Sequence, residues 1–185
     1  VLFAGDSPVS RLIRLASGGD WSHVAMVLRL PTIFPGVLLW ESTTLSDIPD
    51  LESRLPTRGV QLVPMSQRLA SYHGRVAVRR LTPRPTPAMV HALARRRAQL
   101  SRRAYEQHRL QLLRAAYDGL GGNNREDLST VFCSELVAEA YQAMALLPEP
   151  PAGRPSNEYT PVDFARPSLR LKHSRRLSPP IHLIG

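Results

Sequence analysis

The spacing of apolar positions changes along the chain, and each change marks a new element. Residues 1–4 are apolar and predict a short strand. Gly5-Asp6-Ser7-Pro8 then opens a helix, with Ser7 as N-cap and Pro8 at the first helical position. Val9, Leu12, Ile13 and Ala16 recur at helical spacing, and Gly18-Gly19 ends the helix. Asp20-Trp21-Ser22-His23 leads into residues 24–28, nearly all apolar, which predict a buried strand. A Pro/Gly turn over 31–36 separates them from a second buried strand, Val37-Leu38-Leu39-Trp40-Glu41. Antiparallel pairing about this turn brings His23 and Glu41 within a few residues of opposite one another.

Residues 44–58 are polar and turn-rich and predict a surface loop. Strands are expected at 60–63 and 75–81, followed by a proline-rich linker over 81–87. Residues 88 to about 118 carry a helical pattern, with Leu93, Leu100, Leu110, Leu113 and Tyr117 facing the core. A Gly/Asn-rich loop over 119–127 lacks the Gly-Lys-Ser/Thr of a phosphate loop. A further helix is predicted from Thr130, its N-cap, with Leu136, Val137, Ala140 and Met144 at helical spacing. Residues 148–155 form a proline-rich surface segment. Thr160-Pro161 starts a short helix, and 168–172 and 181–184 are expected as edge strands.

At 185 residues with 43% hydrophobic content, the chain suffices for one domain with a real core, 1–185, with a basic helical region at about 83–125. No apolar run approaches a membrane span, which predicts a soluble protein. Net charge is +9, and Lys172 is the only lysine among 24 basic residues. Arg95, Arg96, Arg97, Arg102, Arg103, Arg109 and Arg114 concentrate on the basic helix. It is either a contact surface for an anionic partner or a solvated face. With 6% aromatic residues and no stacking or helix-turn-helix signature, a nucleic-acid partner is not expected.

The chemistry rests on one cysteine. Cys133 cannot form an internal disulfide, so it is either inert packing or a reactive group, and a reduced thiol suits a reducing, cytoplasmic compartment. In the first turn of the predicted helix it would face free N–H groups and the positive end of the helix dipole, which favour a thiolate. Its backbone N–H could then serve an oxyanion hole. His23 opens a buried strand and Glu41 ends its neighbour. Together they supply a base and a group to orient it. Each also has an ordinary reading: a structural histidine at a strand edge, and a surface carboxylate pairing one of many arginines. His73, His91, His108, His173 and His182 show no metal-ligand spacing with the cysteine, so neither a metal nor a cofactor is expected.

Ser22-His23-Val24 opening a hydrophobic strand, Glu41 ending the next, and Phe132-Cys133-Ser134-Glu135-Leu136-Val137 downstream resemble the permuted NlpC/P60, papain-like superfamily. The resemblance is to its circularly permuted branch, in which the histidine precedes the cysteine. That branch includes the YiiX/YaeF-like hydrolases and, more distantly, the lecithin:retinol acyltransferase-like enzymes. It runs from about residue 1 to residue 164 and is weaker over 83–125. It implies a papain-like α+β fold, an antiparallel sheet with the cysteine helix packed on it, and a Cys133–His23–Glu41 triad. The substrate class does not carry over with the resemblance; the expected activity is a cysteine hydrolase acting on an amide, thioester or ester, with a small peptide, amide or lipid-linked substrate. The alternatives are a lipid acyltransferase using the same covalent chemistry and a non-catalytic binding module on the same fold.

Overall fold

The computed structural model describes residues 1–43, 45–101 and 127–184. It is an α+β arrangement in which, among the described residues, every strand pairing is antiparallel. Strands β1 (Leu2–Gly5), β2 (His23–Val24), β6 (Gly74–Val78) and β9 (Ile181–Ile184) form a four-stranded sheet in the order β2-β1-β6-β9. A second sheet has the order β3-β4-β5, from β3 (Met26–Leu28), β4 (Leu38–Thr43) and β5 (Gly59–Pro64). Strands β7 (Leu81–Thr82) and β8 (Arg176–Leu177) make a small third pair.

The first helix, α1 (Pro8–Ser17), follows its sequence signals. The Ser7 side chain accepts from the Ser10 N–H, and Gly18 ends the helix in the left-handed region at φ 63°. Ile13 is buried, while the side chains of Val9, Leu12 and Ala16 lie outside the description.

The predicted strand over 24–28 is not one buried strand. It breaks at Ala25 and serves both sheets: Leu2 pairs with Val24 on one side of the break, and Met26 with Trp40 on the other. Only Val24 and Ala25 are buried, and Val27 is 38% exposed. Between two sheets a strand has no uniform environment, so its apolar run does not become a uniformly buried one. The strand expected over 75–81 likewise splits into β6 and β7. None forms over 168–172, the pairing falling instead to β8.

Two helices depart from the sequence reading. The sequence reading assigns no helix to α2 (Met65–Ser71), a seven-residue helix without a side-chain cap that follows Pro64 directly. The cysteine helix, α4 (Asp127–Ala143), starts three residues before Thr130, so Thr130 lies inside it. Helix α3 spans Pro87–Ser101 and buries Leu93 and Leu100. The rest of the expected basic helix, with Arg102, Arg103, Arg109, Arg114, Leu110, Leu113 and Tyr117, and most of the loop over 119–127 lie outside the described residues.

Helix α4 joins the two sheets. Cys133, Val137 and Ala138 pack with Leu2, Ala4, Val24 and Ala77 of the first. Leu136 and Ala140, with Met144 just past the helix end, pack with Leu38, Trp40 and Leu62 of the second. The apolar residues of α4 thus cover more than one stripe, as expected of a helix with sheet on two sides. Helix α5 (Pro161–Ala165) packs Phe164 into the same core. The Asp163 carboxylate closes its start, accepting from the Thr160 N–H at 2.8 Å and the Thr160 hydroxyl at 2.9 Å.

Candidate active site

His23 sits where β2 begins, and its approach is fixed by the buried Ser22. The Ser22 N–H donates to the Phe3 carbonyl at 2.9 Å, and its hydroxyl donates to the same oxygen at 3.3 Å. Tyr72 hydrogen-bonds Ser22, and burial pushes the Tyr72 hydroxyl up to about 12, so it stays protonated. Pairing of Phe3 with His23 and a tilted ring contact at 5.3 Å hold the imidazole from the other side.

The imidazole spans two partners. Its Nε2 lies 2.9 Å from Oε2 of Glu41. Its other side-chain partner is Cys133. The structure therefore brings His23, Glu41 and Cys133 together, from β2, β4 and α4. His23 is 15% exposed, Glu41 1%, and Cys133 fully buried.

Charge follows from this geometry. Burial disfavours the imidazolium, but the neighbouring Cys133 and Glu41 outweigh it and raise the His23 pKa to about 9. Burial likewise disfavours the Glu41 carboxylate. His23 and Arg68 overcome that and hold Glu41 below its ordinary range.

Arg68 has no role in the sequence reading. It lies on α2, the element the sequence reading leaves out, and is only 1% exposed. Its Nε donates to Oε1 of Glu41 at 2.9 Å, and its Nη1 donates to Oδ1 of Asp47 at 2.8 Å. Gln61, opposite Glu41 on β5, donates to the Leu45 carbonyl at 3.1 Å and makes a longer 3.5 Å contact to Oε1 of Glu41. These bonds pin the start of the loop after β4 over the carboxylate. Nothing in its immediate sequence, Ser66-Gln67-Arg68-Leu69, sets Arg68 apart from an arginine on a solvated helix face.

The helix-start reading of Cys133 does not hold. Cys133 is the seventh residue of α4, past the first four amides that lack an intrahelical acceptor. Its N–H belongs to the helix ladder, so the expected oxyanion-hole role falls away. The dipole effect, confined to the first turn, weakens too. The described side-chain partner of Cys133 is His23. Beside Cys133, the buried Ser134 hydroxyl donates to the Tyr159 carbonyl at 2.5 Å and fixes this turn of the helix.

On the described part of the basic helix, Arg97 pairs with Glu52 at 2.6 Å and Arg96 approaches Glu139 at 4.0 Å. Among the described residues, no group of three or more His, Cys, Asp or Glu is placed to hold a metal ion. Nor is any described helix long and apolar enough to cross a membrane. No family model and no curated protein matches the chain.

Proposed function

We propose that the protein is a cysteine hydrolase that forms an acyl-enzyme on Cys133. The observation that carries the reading is the His23 imidazole bound at Nε2 by Glu41, 2.9 Å away, with Cys133 as its other partner. A nucleophile, a base and a group orienting that base meet in one buried place. His23 takes the thiol proton, giving a thiolate–imidazolium pair. The thiolate attacks the carbonyl carbon of an amide, thioester or ester. His23 gives its proton to the leaving amine, thiol or alcohol as the bond breaks. Water then attacks the acyl-enzyme, His23 takes its proton, and the acid leaves with the thiol restored.

The fold we propose is the circularly permuted papain-like one of the NlpC/P60 superfamily. Three features support it: the histidine strand precedes the cysteine helix in the chain, all described pairings are antiparallel, and α4 packs on the sheets. A lipid acyltransferase would use the same residues, with an alcohol or amine replacing water in the last step.

The test is the rate of Cys133 alkylation by iodoacetamide against pH, in the parent and in His23→Ala. An ordinary thiol loses reactivity below about pH 8.5. The parent is expected to stay reactive well below that and His23→Ala is not. Ordinary titration in both proteins, or no reaction in either, argues instead for a binding module. An activated ester such as p-nitrophenyl acetate should also add one acyl group to Cys133, read by mass spectrometry.

A further inference from the structure

We propose that Arg68 is a positioning residue for this site: its guanidinium keeps Glu41 a carboxylate and turns Oε2 toward His23. The inference rests on the cysteine-hydrolase reading. The two oxygens of Glu41 are divided between two partners, Oε1 to Arg68 and Oε2 to His23, each at 2.9 Å. A carboxylate held at one oxygen by a rigid guanidinium has little freedom to rotate away from the imidazole. Arg68 is anchored in turn by Asp47 at 2.8 Å, so its own orientation is set from outside the site.

Burial is the reason such a residue is needed. Glu41 is 1% exposed, and an isolated buried carboxylate takes up a proton rather than stay charged. As an acid it no longer stabilises the imidazolium that forms when the thiol loses its proton. His23 alone supplies a positive charge only while it is protonated, and it gives that proton away in every cycle. Arg68 keeps its charge throughout. The charged and titratable groups around the cluster are Cys133 from α4, His23 from β2, Asp47 from the loop after β4, and Arg68 and Tyr72 on and after α2.

The cluster is not fully satisfied. Nη2 of Arg68 and Oε1 of Gln61 are buried without a hydrogen-bond partner. A partly satisfied buried network stabilises a fold less than apolar packing of the same volume. What it does provide is a fixed anion against His23.

The experiment follows the Glu41 side-chain carboxyl by ¹³C NMR against pH. The parent is compared with Arg68→Met, Arg68→Lys, Glu41→Gln and the double variant Glu41→Gln/Arg68→Met. In parallel, the acylation of Cys133 by p-nitrophenyl acetate is timed across the same pH range. In the parent, Glu41 titrates below its ordinary 4.5. In Arg68→Met its midpoint moves up from the parent value, and the acid edge of acylation moves up with it. An upward move of about one unit makes acylation about tenfold slower on that edge. The His23 midpoint does not fall, because a cation has been removed. Arg68→Lys returns Glu41 close to the parent value. In the double variant the acid edge matches that of Glu41→Gln alone.

A merely structural arginine would lower stability and leave these midpoints in place. An unchanged Glu41 midpoint in folded Arg68→Met overturns the inference. If the methionine variant does not fold, Arg68→Gln, which keeps a donor but no charge, is read the same way. Failure of the parent to acylate counts against the hydrolase reading and leaves the Glu41 titration a valid test of what Arg68 does to it.

Discussion

Nε2 of His23 stands 2.9 Å from Oε2 of Glu41, although the two residues lie in different sheets. The strand from β2 to β3 crosses between the sheets at Ala25, and this carries His23 up to the second sheet. The imidazole state depends on two neighbours, Glu41 and Cys133.

Removing either neighbour should lower the His23 midpoint. Glu41→Gln takes away one carboxylate and leaves Arg68 with Asp47 alone, and both changes disfavour the imidazolium. Cys133→Ser takes away the sulfur partner. Histidine ring signals followed by NMR should place the parent midpoint near 9 and both variants below it. A midpoint near 6.5 in the parent would mean that neither neighbour acts on the ring.

The same shift predicts how stability varies with pH. The folded protein binds the His23 proton more tightly than the unfolded chain, whose pKa is about 6.5. The contribution is therefore full below about pH 6.5 and declines as pH rises through about 9, where it is lost. Its size is on the order of 3 kcal/mol. Urea unfolding of the parent and of His23→Gln should show a stability gap that narrows between those values. A gap independent of pH would sink this account.

Gly74 is required by its surroundings. It pairs with Gly5 at φ 137°, and a Cβ there would lie 2.3 Å from the Ala4 carbonyl oxygen, which is backbone and cannot move aside. Gly74→Ala should cost roughly 1–3 kcal/mol by urea unfolding. Because β1 carries the Phe3 that pairs with His23, it should also slow Cys133 alkylation. A variant as stable as the parent would show that this strand pair can open at little cost.

Ser134→Ala removes the donor that the Tyr159 carbonyl accepts from, at 2.5 Å in a buried place. The expected loss is about 1–3 kcal/mol, the range for an unpaired buried polar group. Since the bond fixes the helix turn that carries Cys133, the alkylation rate should change as well. Unchanged stability would mean that another donor takes over the carbonyl.

His23, Glu41 and Cys133 could be picked out from the sequence because each lies at a signal that local chemistry makes visible. His23 and Glu41 are polar ends of apolar runs joined by a Pro/Gly turn, and that turn dictates an antiparallel return. Cys133 stands in a helix whose apolar spacing is evident. Helix α1 followed its cap and glycine signals for the same reason. Arg68 stayed hidden because burial of an arginine leaves no local trace. Its two carboxylate partners are 27 and 21 residues away in the chain. The start of α4 was misplaced because a good N-cap residue is only a local preference, and Thr130 can equally well sit inside a longer helix.

The sequence by itself determined the alternation of short strands and capped helices, the antiparallel return from His23 to Glu41, and the presence of a lone thiol. These depend on neighbours in the chain: periodicity, turn residues and caps. The tertiary structure alone decided that the strand at 24–28 divides between two sheets. It alone decided that Cys133 meets His23 from the body of a helix rather than its tip, and that Arg68 stands behind Glu41. These depend on burial and on charges brought together across long separations. A buried ion keeps its charge only through the partners that the whole fold provides.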